Sequence, residues 1–450
     1  MPRRLLALLA LATTAVGVIG LIQGCSSKPA PVRPPEIAAA LPPTPKPASP
    51  AVTQTLPTVM LGIDVLEATK FEAIAGKKIG LLTHQAGVNR HGDSTVDVIR
   101  RSRYSKLVEL FSPEHGLNGT EKAGDNIPDS IDPRTGLTVY SLHGKNRKPT
   151  KAQLKNIDAL VIDLQDIGVR SYTFNVVMRY AMEACFENGV EVIVLDRPNP
   201  LGGLKADGPP LDPEWMSGVG AFRVPYVHGL TMGELATMAK EAPGVLAISE
   251  KNRQRGKLTV VPMRGWTRAM LWPETGLRWV ATSPNIPSFE STVGYAMVGL
   301  GCQASGWTWG IGKDFAFRGI GFPKKTPDEI IKAMSAYQIP GIGFVKRQGL
   351  ARDGKMITGV YVEVTDWAQW NPTELSFYMH RQAAAWSALN PFAVLTTTEQ
   401  RSFNIHVGST AWMAALRKQG ARVDVASFLK NWRERAAIYQ QQSRKYWLYQ

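Results

Sequence analysis

Cysteine is scarce in this chain, with three among 450 residues. Three thiols cannot build a disulfide scaffold, and no two of them form a Cys-x-x-Cys pair of the kind that holds structural zinc. Histidine numbers only seven, and neither His-x-His nor His-Glu-x-x-His spacing occurs, so no metal motif can be read. No Gly-x-Gly-x-x-Gly follows an apolar run, which removes the usual dinucleotide fingerprint. No internal repeat is visible, which argues against a solenoid. Acidic residues are outnumbered, 37 Asp and Glu against 52 Lys and Arg, for a formal net charge of +15. What remains is a chain that is 44% hydrophobic and 20% charged. That composition excludes wholesale disorder and fits a globular protein of two or three domains.

The amino terminus carries the one long apolar run. Arg3 and Arg4 precede an uncharged, mostly apolar stretch from Leu5 to Ile22, and Gln23 and Gly24 lead into Cys25. This is the layout of an export signal, although its 18 residues also reach the lower bound for a membrane-spanning helix. Ile22-Gln23-Gly24-Cys25 resembles a bacterial lipobox. The expectation is a signal peptide over 1–25, lipidation of Cys25, and, with Ser26 next, delivery to the outer membrane facing the periplasm. Residues 26–58 hold ten prolines among Ala, Ser and Thr, which predicts an extended, polyproline-like linker. Outside the cytoplasm nucleic acid is not a natural partner. The basic surface there meets anionic lipid or cell-wall carboxylates, or is simply a solvated helix face.

From residue 59 to 283 short apolar runs alternate with helix-like segments. Strands are expected at 78–82, 107–111, 159–164 and 190–195, with helices at 95–101 and 172–188. Continuous apolar strands separated by helices predict an α/β domain built on a parallel sheet covered on both faces. From 284 to 450 the runs shorten, Trp and Gly increase, and helices are expected at 326–337 and 371–389. That is the pattern of a smaller α+β C-terminal domain.

Ligands of open α/β sheets bind at the carboxyl ends of the strands, and those ends are loaded with polar groups. The first strand runs into Thr83-His84-Gln85, and the second into Ser112-Pro113-Glu114-His115-Gly116. The third runs into Asp163-Leu164-Gln165-Asp166, with Arg170 and Tyr172 beyond, and the fourth into Asp196-Arg197-Pro198-Asn199-Pro200, followed by Asp207. Such a set suits a hydroxyl-rich ligand, with one carboxylate free for acid or base work. Glu114 stands out because Pro113 and Gly116 force a sharp turn that fixes its carboxyl. The competing expectations are structural. Asp163 inside an apolar strand reads as a buried carboxylate capping a turn, Arg197 as a partner for Asp196, and His115 as a loop residue satisfied by backbone. His84, His91 and His115 with Asp163 or Asp166 form an alternative metal set without motif spacing to support it.

Six motifs recur in order: Gly62-Ile63-Asp64-Val65-Leu66, Phe111-Ser112-Pro113-Glu114-His115-Gly116, the run from Thr135 to Leu142, Ile162-Asp163-Leu164-Gln165-Asp166-Ile167-Gly168, the run from Leu195 to Gly203, and Ser283-Pro284-Asn285-Ile286-Pro287. On these the chain resembles the DUF1343 family, which is associated with exo-β-N-acetylmuramidases of the NamZ type, glycoside hydrolase family 171. The resemblance implies a Rossmann-like N-terminal domain, a smaller C-terminal domain and a site in the cleft between them. It implies release of terminal N-acetylmuramic acid from peptidoglycan fragments. The residues themselves, lacking metal and dinucleotide motifs, lead to the expectation of no cofactor and no metal.

On that reading Glu114 is the general acid, and Asp166 or Asp207 activates water or steadies the developing positive charge. Arg170 suits the lactyl carboxylate, because a planar guanidinium binds carboxylates in bidentate fashion. His84, His115, Gln165, Tyr172, Asn199, His228 and Asn285 supply the sugar contacts. The chain departs from the family pattern at His84-Gln85, Asn118, Asp207 and Val227-His228-Gly229. It departs most in the loop Gly301 to Gly310, where an aromatic, neutral segment replaces a cationic one. There Trp307 and Trp309 either present one stacking face for a pyranose, as i and i+2 side chains of an extended loop do, or fill the core. The runner-up function is a lipid-anchored peptidoglycan-binding module that has lost catalysis.

Overall fold

Six apolar segments pair side by side in parallel: β1 (Lys78–Thr83), β2 (Lys106–Ser112), β4 (Thr138–Ser141), β5 (Ala159–Asp163), β6 (Glu191–Leu195) and β7 (Leu258–Val261). A two-residue strand, β3 (Ser130–Ile131), adds antiparallel to β4, giving the order β3-β4-β2-β1-β5-β6-β7. The computed structural model describes residues 59–450 apart from 123, 302 and 303. Cys25 and the proline-rich segment therefore lie outside the described residues.

Every residue of β5 is buried, as is every residue of β1 after Lys78, the mark of strands covered on both faces. The four expected strands are present within one residue of their expected ends. The sequence reading missed β3, β4 and β7, which are short or only partly buried and carry no continuous apolar run. Helix Thr173–Asn188, expected from its pattern, connects β5 to β6 and stops at Gly189, whose φ of 74° is left-handed and suits a residue without a Cβ.

The chain leaves β1 toward β2 on one side and, after β4, returns to lay β5 on the other side of β1. Crossovers that depart in opposite directions from adjacent strands open a crevice at their carboxyl ends. Here that point falls between β1 and β5, where Thr83 lies opposite Asp163.

The C-terminal part carries an antiparallel sheet of order β10-β11-β9-β8, from β8 (Thr308–Trp309), β9 (Gly319–Gly321), β10 (Ile342–Leu350) and β11 (Met356–Val364). Helices Pro327–Ser335 and Glu374–Trp386 answer the two expected ones. The β10–β11 hairpin and the helices Thr397–Val407, Thr410–Gln419 and Val425–Ser443 were not anticipated. Aromatic rings fill this part: Phe377, His380, Phe392, Phe403, Trp412 and Trp432 contact one another.

The chain end packs back on the first sheet. Tyr449 donates to Asp196 at 2.6 Å and accepts from the Met263 N–H, the Leu448 N–H donates to Glu234, and Trp447 lies under the Arg268 guanidinium at 3.8 Å.

Candidate functional site

Glu114 follows β2 in a tight turn that the backbone adopts at a cost. His115 and Gly116 both take left-handed φ, 72° and 76°, and a non-glycine residue there stores strain that the surroundings must hold. The Glu114 side chain is 13% exposed. Its Oε2 accepts from Thr173 Oγ1 at 2.8 Å and its Oε1 from the Gly124 N–H at 3.0 Å. His143 Nε2 stands 3.6 Å from Oε1. The carboxyl opens on a cavity of about 260 Å³ walled by Asn126, His143, Arg147, Thr173 and Tyr180. Burial lowers the proton affinity of His143 below the usual imidazole range, with the Glu114 charge opposing. A carboxyl held by two donors and facing such a cavity is equipped to exchange a proton with a ligand.

The segment after β5 carries both Asp166 and, at its end, Thr173, the hydroxyl that holds Glu114. Gly168 N–H donates to Asp166 Oδ2 at 2.8 Å, and Asp166 Oδ1 is buried without a partner. His228 Nδ1 accepts from the Leu230 N–H at 3.2 Å, which puts the ring proton on Nε2, 3.5 Å from Asp166 Oδ2. His84 Nε2 accepts from the Gln165 N–H at 3.0 Å. Burial first, and then the Arg197 charge, push the His84 pKa well below the usual value and keep the ring neutral. Its Nδ1 has no aligned acceptor, with the Gln85 amide beside it, and Gln165 Oε1 is also unpartnered. Buried polar atoms without partners carry a desolvation cost, and here three of them, on His84, Gln165 and Asp166, follow β1 and β5, the two strands that flank the switch point.

This geometry has relatives. Residues 79–290 match the family described as "Exo-beta-N-acetylmuramidase NamZ, N-terminal", and residues 293–449 match its C-terminal counterpart. The chain belongs to the NamZ family. A Bacillus subtilis protein named peptidoglycan beta-N-acetylmuramidase NamZ is 41% identical over 318 residues, which cover 70% of this chain and 74% of that protein. The crystal structure of a DUF1343 family protein from Bacteroides fragilis superposes with a TM-score of 0.78 at 33% identity, covering 87% of this chain and 99% of that one. A second B. fragilis DUF1343 structure gives 0.67 at 26% identity over the same shares.

Within this NamZ-family fold several expected site residues turn away. Arg170 is 1% exposed. Its guanidinium donates to the carbonyls of Pro209, Val224, His406 and Val407, so it staples backbone and has no fork left for a substrate carboxylate. Asp207 accepts from the Thr373 N–H and hydroxyl, both at 2.8 Å, and caps the region where helix Glu374–Trp386 begins rather than facing Glu114. Asn199 spends its amide on the Leu230 carbonyl and the Leu201 N–H. Tyr172 donates to Thr282 at 2.8 Å, and burial raises its pKa. His115 Nδ1 bonds the Glu121 carbonyl at 2.7 Å, as the structural expectation had it. Asn285 lies exposed in the turn closed by Ser283 and Ile286.

The pairing of Arg197 with Asp196 is also corrected. Arg197 forms a two-pronged buried ion pair with Asp163 on the neighbouring strand, and Thr95 donates to the same carboxylate. Asp163 thus joins strands and helix instead of capping a turn. Asp196 meets only the backbone N–H of Arg197, and otherwise accepts from Thr231, Gly233 and Tyr449; burial raises its pKa to about 6. In the 301–310 loop the two indoles part. Trp307 is 3% exposed and donates to the Met379 carbonyl at 2.7 Å, whereas Trp309 is 37% exposed and stacks on Phe317. A shared stacking face does not form.

His143, Arg147, Thr173 and the Gly124 N–H were missed. A signal for the first two was present. The run Thr138 to Leu142 ends a parallel strand, and polar residues just past such an end belong on the same list as Glu114.

Proposed function

We propose that this chain is a glycoside hydrolase that releases terminal N-acetylmuramic acid from peptidoglycan fragments in cell-wall turnover, with Glu114 as the general acid. The observation that carries this reading is the Glu114 carboxyl, fixed by Thr173 and Gly124 against a cavity of single-sugar size in a chain 41% identical to a protein named for that activity. Glu114 protonates the leaving glycosidic oxygen as the bond breaks, and Thr173 keeps the carboxyl from rotating away. Asp166, oriented by Gly168 and flanked by His228, serves as the second group. Its Oδ1, buried without a partner, is the atom we assign to steadying the positive charge that builds at the anomeric carbon or to drawing a proton from the attacking water.

Turnover of a chromogenic β-N-acetylmuramide tests the reading. Glu114→Gln preserves the shape and removes the proton, so the rate should fall on the order of 10²–10⁴-fold. A variant that keeps more than roughly a tenth of the wild-type rate, well inside that range, takes Glu114 out of the role.

We also propose that the chain is an exported lipoprotein held to the outer membrane through Cys25 and facing the periplasm. Support comes from Arg3, Arg4, the apolar run to Ile22 and the lipobox-like Ile22-Gln23-Gly24-Cys25. Among the described residues no helix is long and apolar enough to cross a membrane. Cys25→Ser should shift the protein from the membrane fraction to the soluble one. Persistence in the membrane at high salt makes the apolar run a spanning anchor instead.

A further inference from the structure

With Arg170 committed to four carbonyls, the anionic group of the substrate needs another receptor. One guanidinium stands in the wall of the Glu114 cavity, that of Arg147. Its residue is exposed, and among the described residues its side chain makes no hydrogen bond or ion pair. The neighbouring Lys148 is already engaged by Glu183 and Glu187. Arg147 is nonetheless held in place. The loop that carries it is tied down where Asn126 Oδ1 accepts from the Lys145 N–H at 3.3 Å. The guanidinium lies against the turn closed by Ser217 and Gly220, so closely that a Cβ on Gly218 would sit 2.3 Å from Nη1. Its charge is felt inside the cavity, since it adds to burial in lowering the proton affinity of His143.

The arrangement also separates two jobs that one arginine could not do together. A guanidinium bonded to Glu114 would hold that carboxyl ionised and spoil it as an acid. The only ion-pair partner of Glu114 among the described residues is His143. Arg147 shares the cavity but leaves Glu114 to its own donors, so its fork is free for an anion on the ligand.

We infer that Arg147 receives the lactyl carboxylate that distinguishes N-acetylmuramic acid from N-acetylglucosamine, and that it is the specificity-determining residue of this site. The inference rests on the hydrolase reading above. The contact forms at a hydrated opening, so little desolvation opposes it, and the planar fork can take both carboxylate oxygens at once. Gly218 is part of the device, because any side chain there displaces the guanidinium.

Calorimetric titration of the detergent-solubilised full chain with N-acetylmuramic acid and with its carboxyl methyl ester reads the contact directly. Steady-state kinetics on a chromogenic β-N-acetylmuramide run beside it. The wild type should bind the acid roughly 10–100-fold more tightly than the ester, the range of a hydrogen-bonded charge contact. Arg147→Gln should bind both alike and raise KM by a similar factor with a smaller effect on kcat. Arg147→Lys, which restores charge without the fork, should recover part of the preference. Gly218→Ala, which keeps the charge but moves it, should lose part. If Arg147→Gln retains the wild-type preference for the acid, the inference is overturned and the hydrolase reading stands. If the wild type neither binds the acid nor hydrolyses the muramide, the reading itself falls and takes the inference with it.

Discussion

The parallel sheet and the antiparallel sheet store polar and aromatic groups in opposite ways. At the carboxyl ends of β1, β2 and β5 the chain holds His84, Glu114, Gln165 and Asp166, several with atoms that have no partner. Around β8 to β11 and the last helices, rings pack on rings, and the Trp307 indole N–H is satisfied by the Met379 carbonyl. Both regions carry unpartnered buried atoms, but they differ in setting: His84 Nδ1, Gln165 Oε1 and Asp166 Oδ1 follow the strands at the switch point, whereas Trp370 Nε1, His380 Nε2 and Asn404 Oδ1 lie in the aromatic C-terminal part, away from any strand end of the parallel sheet. The difference teaches where to look for chemistry. Unsatisfied polar groups at a switch point mark a site more reliably than conspicuous tryptophans do.

Paired substitutions sharpen that contrast. Glu114→Gln should remove on the order of 10²–10⁴ of the rate while the melting temperature barely moves, because its two donors can still bond an amide oxygen or water. Trp307→Ala should do the reverse. It removes a buried indole packed on Phe322 and Trp386 and should cost about 3–5 kcal/mol of stability, with activity per folded molecule kept. A Trp307→Ala protein that melts normally but loses affinity for peptidoglycan fragments would break the comparison and restore the stacking face.

A smaller effect comes from pH. His380 is fully buried among rings, accepts from the Trp412 N–H at 3.1 Å, and has its pKa lowered to about 3 by burial. Between pH 6.5 and about 3 the unfolded chain takes up a proton there that the folded chain refuses, so stability falls as pH falls through that window. Asp196, raised to about 6 by burial, acts in the other direction. The folded chain holds the proton more tightly between about 6 and 3.8, which offsets part of the loss. His380→Gln should flatten the decline of melting temperature with acid, measured from pH 7 down to 4. An unchanged slope removes His380 as its source. The smallest expected effect is that of Trp309→Ala. This indole touches Phe317 at the surface, and its loss should cost under about 1 kcal/mol and leave ligand affinity alone. A clear drop in affinity by calorimetry would show that the exposed half of the aromatic loop meets the ligand after all.

Much of the first sheet could be read from the sequence. The apolar runs of β1, β2, β5 and β6 are local patterns, and burial on both faces leaves no polar residue to interrupt them. β4 escaped because it is only four residues long and buries every second one, and with it went His143 and Arg147, which help to wall the Glu114 cavity. Glu114 was legible for a local reason, since Pro113 and Gly116 dictate a tight turn whatever the rest of the chain does. The β10–β11 hairpin was not legible, because much of its tip is exposed and carries no clean alternation.

The sequence by itself determined the family, the positions of the central strands and the turn that fixes Glu114, all of which depend on residues close together in the chain. Only the tertiary structure decided where long polar side chains point. Arg170 donates to a carbonyl 236 residues away, Asp207 accepts from a backbone N–H 166 residues away, and the Arg197 guanidinium chooses Asp163 over its neighbour Asp196. A guanidinium or carboxylate near a strand end can reach several partners, and which one it takes depends on the desolvation and geometry of groups that the fold brings together from distant parts of the chain.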